Sequence, residues 1–198
     1  MDKDGGTRAS MGLAAGGEAS LGLRDRAGKT RIGMNLDGLG APGMTLFDAG
    51  GAARVALALH ARGWPSLDFL GEGEKTRLVM QVQPDGAPIL GMHDHEGRRR
   101  IGMLVHPDGT PTFRLRDALG QVRAHLSILG GDVPTLNFQD KGGKSRVSLG
   151  VDSDGTAGLD LLDRGGKPRA SVGVHADGDA SFELLDSAGK PVLQAPSP

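Results

Sequence analysis

The sequence has 198 residues, with 23 Lys and Arg against 24 Asp and Glu, 3% aromatic residues and no Cys. This length can form one domain with a sizeable core. The near-neutral charge and the scarcity of aromatic rings exclude a nucleic-acid-binding protein, and the absence of Cys excludes disulfides and thiolate chemistry. No stretch approaches the roughly 18 apolar residues that a membrane-spanning helix needs.

A 23-residue pattern repeats along the chain without insertion or deletion. Each of the eight full repeats has Arg six residues after its start. Each also opens with Asp and has Gly three residues later, except the fourth, which has Gly71 in place of the Asp and Glu74 in place of the Gly. A second column of Gly is broken only by Asp132. Residues 1–198 therefore form a single repeat array, in which the repeats are 2–24, 25–47, 48–70, 71–93, 94–116, 117–139, 140–162 and 163–185, with a partial repeat at 186–198.

Two short segments of each repeat alternate between apolar and other residues. In the fifth repeat the first segment contains Ile101, Met103 and Val105, and the second contains Phe113 and Leu115. Strict alternation predicts strands with one apolar face. Gly, Pro or an Asx residue interrupts every segment before a stable helix could form. The sequence thus predicts an all-β protein of about sixteen short strands, at two per repeat.

The Pro-Asp-Gly turns predict antiparallel hairpins. In Pro107-Asp108-Gly109, Pro sets φ at the second turn position and Gly accepts a positive φ at the end of the turn. This turn pairs His106 with Thr110 and keeps the apolar residues on one face. The pairs that follow are Val105 with Pro111, Met103 with Phe113, and Ile101 with Leu115.

The Asp-x-x-Gly turns leave the register open. Pairing Asp117 with Gln121 would place Leu115 opposite Arg123 and invert the faces of the next strand. One extra loop residue, or a bulge near Gly120, restores the apolar face. The restored pairs are Leu115 with Ala124 and Phe113 with Leu126. Alternatively, this turn is an arc that folds two sheets face to face into a β-solenoid. We favour an elongated antiparallel meander or strip and keep the solenoid as the alternative.

The alternation of Asp-x-x-Gly turns with Pro-Asp-Gly turns, as in 94–97 and 107–109, resembles the β-hairpin repeats of the Rhs/YD family. The tyrosine that precedes the Asp in that family is missing here. The resemblance implies a long antiparallel β-strip, of the kind that often curls into a shell around a cargo.

Five apolar positions in each of eight repeats place forty apolar side chains on one face. Monomers rarely expose apolar patches beyond a few hundred Å². The sheet must therefore curl on itself, pack as two layers or pair with other copies. We expect self-association into a homo-oligomer or filament.

The Arg column is the most regular chemical feature of the sequence. One interpretation is a ladder of ion pairs that closes each turn, as between Asp117 and Arg123. The other is an anion-binding edge, whose candidate residues are Arg77, Arg98, Arg99, Arg100 and Arg123. Because an acid accompanies nearly every base, the ion-pair ladder is favoured.

The histidines raise the hypothesis of a metal site, but their positions oppose it. His93 and His95 belong to the Asp-x-x-Gly end of the strands, whereas His106 belongs to the Pro-Asp-Gly end. Six residues of strand separate the two ends by roughly 20 Å. We predict no metal, cofactor or catalytic site. Trp64, in a turn, is a candidate exposed contact.

A structural or assembly role is the leading functional hypothesis: a stalk, a fibre segment or a filament subunit, and not an enzyme. This hypothesis rests on the absence of insertions, since the loops of catalytic scaffolds usually differ in length. The alternative is a module that binds a polysaccharide or another anionic polymer along the Arg-lined edge. An extracellular or cell-surface location is favoured, although no signal peptide is visible.

Overall fold

The computed structural model describes residues 2–130 and 132–196, and within them seventeen antiparallel β-strands and one short 3-10 helix. The predicted all-β class with regular hairpins is confirmed. The chain divides into two compact units, Met1–Arg99 and Arg100–Pro198. The 23-residue period continues in phase on both sides of that boundary.

The first unit is an open antiparallel meander, in which each strand pairs with the next along the chain. The 3-10 helix Glu72–Glu74 lies between its sixth and seventh strands. The strands are β1 (Ala9–Leu13), β2 (Ala19–Arg24), β3 (Thr30–Leu36), β4 (Pro42–Phe47), β5 (Ala53–Leu59), β6 (Pro65–Leu70), β7 (Thr76–Val82) and β8 (Pro88–His93).

The second unit continues the same pattern of consecutive antiparallel pairs. Its first strand begins at Arg99, one residue before the boundary, and the rest of that strand lies in this unit. The strands are β9 (Arg99–Val105), β10 (Pro111–Arg116), β11 (Val122–Leu129), β12 (Val133–Gln139), β13 (Ser145–Val151), β14 (Ala157–Leu162), β15 (Pro168–Val174), β16 (Ala180–Leu185) and β17 (Pro191–Ala195).

The Pro-Asp-Gly hairpin has the predicted register. The His106 N–H donates to the Thr110 carbonyl at 2.9 Å, and the Gly109 N–H donates to the His106 carbonyl at 2.8 Å. Gly109 has φ +88°, a conformation that glycine adopts without a steric penalty. The strand pairs beyond the turn are Val105 with Pro111, Met103 with Phe113 and Ile101 with Leu115.

The Asp-x-x-Gly hairpin combines the simple turn with a bulge. The Asp117 N–H donates to the Gln121 carbonyl at 2.9 Å, so the turn itself closes in the simplest way. The register then shifts after Leu115, which leaves Arg123 as the extra residue of the bulge. The shift restores the predicted pairs, which are Leu115 with Ala124 and Phe113 with Leu126.

The same register shift recurs at the corresponding Arg of five other hairpins of this type. The extra residues there are Arg31, Arg54, Arg77, Arg146 and Arg169. A bulge increases local twist and re-aims the side chain of the extra residue. All these pairings are antiparallel and join consecutive strands, so the meander is confirmed and the solenoid alternative is not what forms.

Of the three ways to cover the apolar face, neither curling of the sheet nor a second layer occurs within the described part of either unit. No large side chain of the described residues is fully buried. In β13 and β14, Leu149 remains 47% exposed and Leu159 36% exposed. Each unit is a single layer in which neighbouring strands cover only the flanks of an apolar side chain, so its outer end stays in solvent.

Candidate functional site

Asp-x-x-Gly turns contain a recurring set of hydrogen bonds around the Asp side chain, and the turn at Asp117 illustrates it. Its Oδ1 accepts hydrogen bonds from the N–H groups of Leu119 and Gln121, at 2.9 and 3.0 Å. Its Oδ2 accepts from Arg123, with Nη2 at 2.5 Å and Nε at 2.7 Å. One oxygen therefore closes the turn and the other holds the bulge arginine, as the expected pairing of Asp117 with Arg123 requires.

The bulge arginine also reaches the next turn of the same type, which sequence reasoning missed. Arg123 donates through Nη1 to the Asp140 carbonyl. Arg54 does the same to the Gly71 carbonyl at 2.7 Å. Each contact reaches the end of the neighbouring strand, β12 for Arg123 and β6 for Arg54, because the bulge aims the side chain along the edge of the sheet. Each such arginine links the Asp of its own turn to the backbone of the following one.

Asp48 and Asp163 are two turn carboxylates whose pKa lies below the usual value. The Arg54 side chain, together with the N–H of Ala52, lowers the pKa of Asp48. The N–H of Lys167, with a further contribution from Arg169, lowers the pKa of Asp163. Hydrogen bonds to the ionised form stabilise it, and a nearby cation adds to the effect.

Three of the five candidate anion-binding residues, Arg98, Arg100 and Arg123, donate hydrogen bonds to oxygen atoms of this chain. Arg98 pairs with Asp94 at 3.1 Å and with Glu96 at 2.5 Å. Arg100 donates from Nε to the Arg116 carbonyl at 3.0 Å. Arg123 is held by the network described above. Anion binding by these side chains would have to compete with the oxygen atoms that already accept their hydrogen bonds.

The other two candidates, Arg77 and Arg99, lie close enough to His93 to act on one imidazole. Burial and then the charge of Arg99 lower the pKa of His93, and Arg77 adds to the effect. Gly71 replaces the usual Asp here, and a Cβ at Gly71 would lie 2.8 Å from Arg77 Cγ. The Arg77 side chain thus occupies space that the missing Asp side chain would need. Binding of an anion along this edge stays a prediction.

Trp64 is a half-buried residue rather than a free surface contact. Its ring stacks on His60, with the ring centroids 3.4 Å apart and the planes 16° from parallel. His60 Nε2 lies 3.1 Å from Ser66 Oγ. The stack stiffens this turn and leaves less of the indole for a partner.

Residues 2–130 and 132–196 contain no group of three or more side chains that could hold a metal ion. In those residues there is also no helix with the length and apolar character needed to cross a membrane.

A groove of 640 Å³ lies in the first unit, mostly on the face opposite the apolar one. Hydroxyl and amide side chains line it, including Ser20, Asn35 and Thr45. The Phe47 ring approaches within 3.4 Å of the place where a Cβ on Gly33 would lie. The cations at one end are Arg24 and Lys29, and the lining residues include no carboxylate.

Each unit has an exposed apolar face. Among the described residues, the large apolar side chains that remain exposed belong to the five alternating columns, with only four exceptions: Leu39, Leu119, Leu129 and Val192. In the second unit, Leu149 pairs with Leu159, and Leu159 pairs with Val172, so three strands present one continuous apolar patch.

No protein-family model and no curated protein matches the chain. Among solved structures, the TCP10 domain of Danio rerio CPAP in complex with a STIL peptide is 12% identical over 96% of this chain and 99% of that one, with a TM-score of 0.38. The Drosophila melanogaster SAS-4 TCP domain with a proline-rich motif of Ana2 is 11% identical over 93% and 94%, with a TM-score of 0.45. Both TM-scores are below 0.5.

Proposed function

We propose that this protein is a non-enzymatic structural repeat module that assembles with other copies, as a stalk, a fibre segment or a filament subunit. The observation that carries the proposal is the apolar face, which every repeat continues and which stays exposed in both units. Soluble monomers rarely expose apolar faces of this extent, so we expect another surface to bind to it and exclude water.

The turn networks support a mechanical role. Each Asp closes its own turn, and arginines such as Arg54, Arg123 and Arg169 tie one turn to the next through backbone carbonyls. Repeats that contact mainly their neighbours can be added without altering the rest of the array. The equal length of all eight repeats is consistent with a role in which the number of repeats sets a dimension.

Light scattering coupled to size-exclusion chromatography tests this role, together with small-angle scattering over a series of protein concentrations. We expect the mass to rise with concentration and the scattering to indicate an elongated particle. A compact monomer at every concentration would refute the proposal.

A second candidate function is binding of an anionic polysaccharide, which the groove of the first unit favours. Its hydroxyl and amide side chains can hydrogen-bond sugar hydroxyls, and its cations, Arg24 and Lys29, have no carboxylate beside them in the lining. Affinity electrophoresis in alginate tests it: Lys29→Ala should reduce the retardation. Lys144→Ala, at the same repeat position in the second unit, is the matched control. Equal retardation of the two variants would exclude this candidate.

A further inference from the structure

The apolar face contains no polar position. The five columns supply forty residues in the eight repeats, and all forty are Ala, Val, Leu, Ile, Met or Phe. The opposite face differs in character, since Ser148, Asp160 and Ser171 occupy the neighbouring positions of β13, β14 and β15. A partner that covers the apolar face therefore meets no charge and no hydrogen-bonding side chain.

The exposed apolar area is large enough for a stable interface. The second unit has thirteen large apolar residues of the five columns that are between 36% and 53% exposed. Taking about 150 Å², the lower figure for an aromatic side chain, for each residue when fully exposed, they present on the order of 900 Å². The largest apolar patch of a typical monomer is about 300–600 Å². One side of a standard protein interface buries about 800 Å².

The chemistry of the face favours a second copy of this chain as the occupant. Two identical pleated faces can interdigitate about 10 Å apart, as in a β-sandwich. Pairing two copies covers both apolar faces at once, whereas a different protein would have to bring an equally extended apolar face of its own. Most soluble oligomers are built from identical chains around a two-fold axis.

We propose that a second copy stacks on this apolar face, so that two chains form a two-layer β-sandwich whose layers come from different molecules. In the second unit the contact includes Leu149, Leu159, Leu161 and Val172. This inference rests on the proposed self-assembly and specifies which surface performs it.

A pair of charge-matched variants tests the surface. Leu149→Lys with Val172→Lys places two charges on the apolar face of β13 and β15. Ser148→Lys with Ser171→Lys places the same charges one residue away on the opposite face, beside Asp160. A buried, unpaired charge strongly disfavours an interface, so the first variant should weaken self-association by at least about 100-fold, while the control associates like the unaltered chain.

Cysteine labelling provides a second measurement that does not depend on how a charged variant folds. The chain has no Cys, so Leu149→Cys and Ser148→Cys each introduce a single thiol. In one isolated chain, position 149 is the more exposed of the two. In the proposed sandwich the order reverses: a maleimide should react slowly at Leu149→Cys and readily at Ser148→Cys, and dilution to the monomer should abolish the protection.

The outcomes separate this inference from the proposed function. The apolar-face interface would be overturned, with self-assembly left intact, by either of two results. The two lysine variants could associate equally, or the two thiols could be labelled equally in the assembled protein. A monomer at all concentrations would refute both. Protection of Leu149→Cys that arises only when phosphatidylcholine vesicles are added would assign the face to a lipid surface and overturn the inference.

Discussion

Gly120→Ala tests whether the turn conformation is what holds the hairpins together. Gly120 has φ +79°, and a Cβ there would meet no atom within 4 Å, so the substitution changes backbone strain without a clash. The left-handed region costs an L-residue about 1–2 kcal/mol. The stiffer unfolded chain offsets about 0.4–1 kcal/mol of this. The free energy of unfolding should therefore fall by about 1 kcal/mol.

Urea unfolding followed by circular dichroism measures the effect. With a slope of about 2 kcal/mol per molar urea, the midpoint should fall by about 0.5 M. Gly158→Ala is the control, because Gly158 lies in β14 outside the left-handed region and its added Cβ would lie 3.9 Å from the Val172 carbonyl oxygen. Its midpoint should rise. Both variants are measured at one protein concentration, since association raises apparent stability. A Gly120→Ala midpoint equal to or above that of the unaltered chain would refute the reasoning.

Three further predictions concern acid stability, strand spacing and the aromatic stack. The pKa of carboxyls such as Asp163 is lower in the folded than in the unfolded chain, so these groups stabilise the fold above about pH 4. This contribution to the free energy of unfolding is lost as the pH falls through the folded pKa. A urea midpoint that is the same at pH 3 as at neutral pH would contradict this. Gly150→Ala would place Cβ 3.0 Å from the Pro134 carbonyl oxygen, so β12 must shift and the free energy of unfolding should fall by about 1–2 kcal/mol; a thermal melt as high as that of the unaltered chain would exclude this strain. His60→Ala removes the stack on Trp64, which should shift the emission of this single tryptophan to longer wavelength and cost about 1 kcal/mol, whereas unchanged emission would show that the stack does not form in solution.

Much of the local structure could be predicted from the sequence, because it depends on contacts between residues close together in the chain. The pairing of Met103 with Phe113 follows from the length of the Pro-Asp-Gly turn and from period-two alternation. The need for a bulge after the Asp-x-x-Gly turn follows from the same alternation. Which residue forms the bulge does not, because a shift at any nearby position restores the apolar face. The structure identifies that residue as Arg123.

The candidate sites were predictable only in part. The pairing of Asp117 with Arg123 follows from their spacing, whereas the bond from Arg123 to the Asp140 carbonyl depends on the direction in which the bulge aims the side chain. The half-buried stack of Trp64 on His60 depends on the conformation of one turn, which residue types alone do not determine.

The sequence by itself determined the 23-residue repeat, the all-β class and the register of the Pro-Asp-Gly hairpins, since turn chemistry and alternation act over a few residues. Whether the apolar face is covered depends on contacts between stacked sheets. The alternation of apolar and polar residues along a strand does not specify such contacts. Only the tertiary structure decided that each unit is a single layer with residues such as Leu149 left exposed. A one-layer sheet lacks a second surface to exclude water from its apolar side chains, and this lack is the reason why we propose a second chain as the cover.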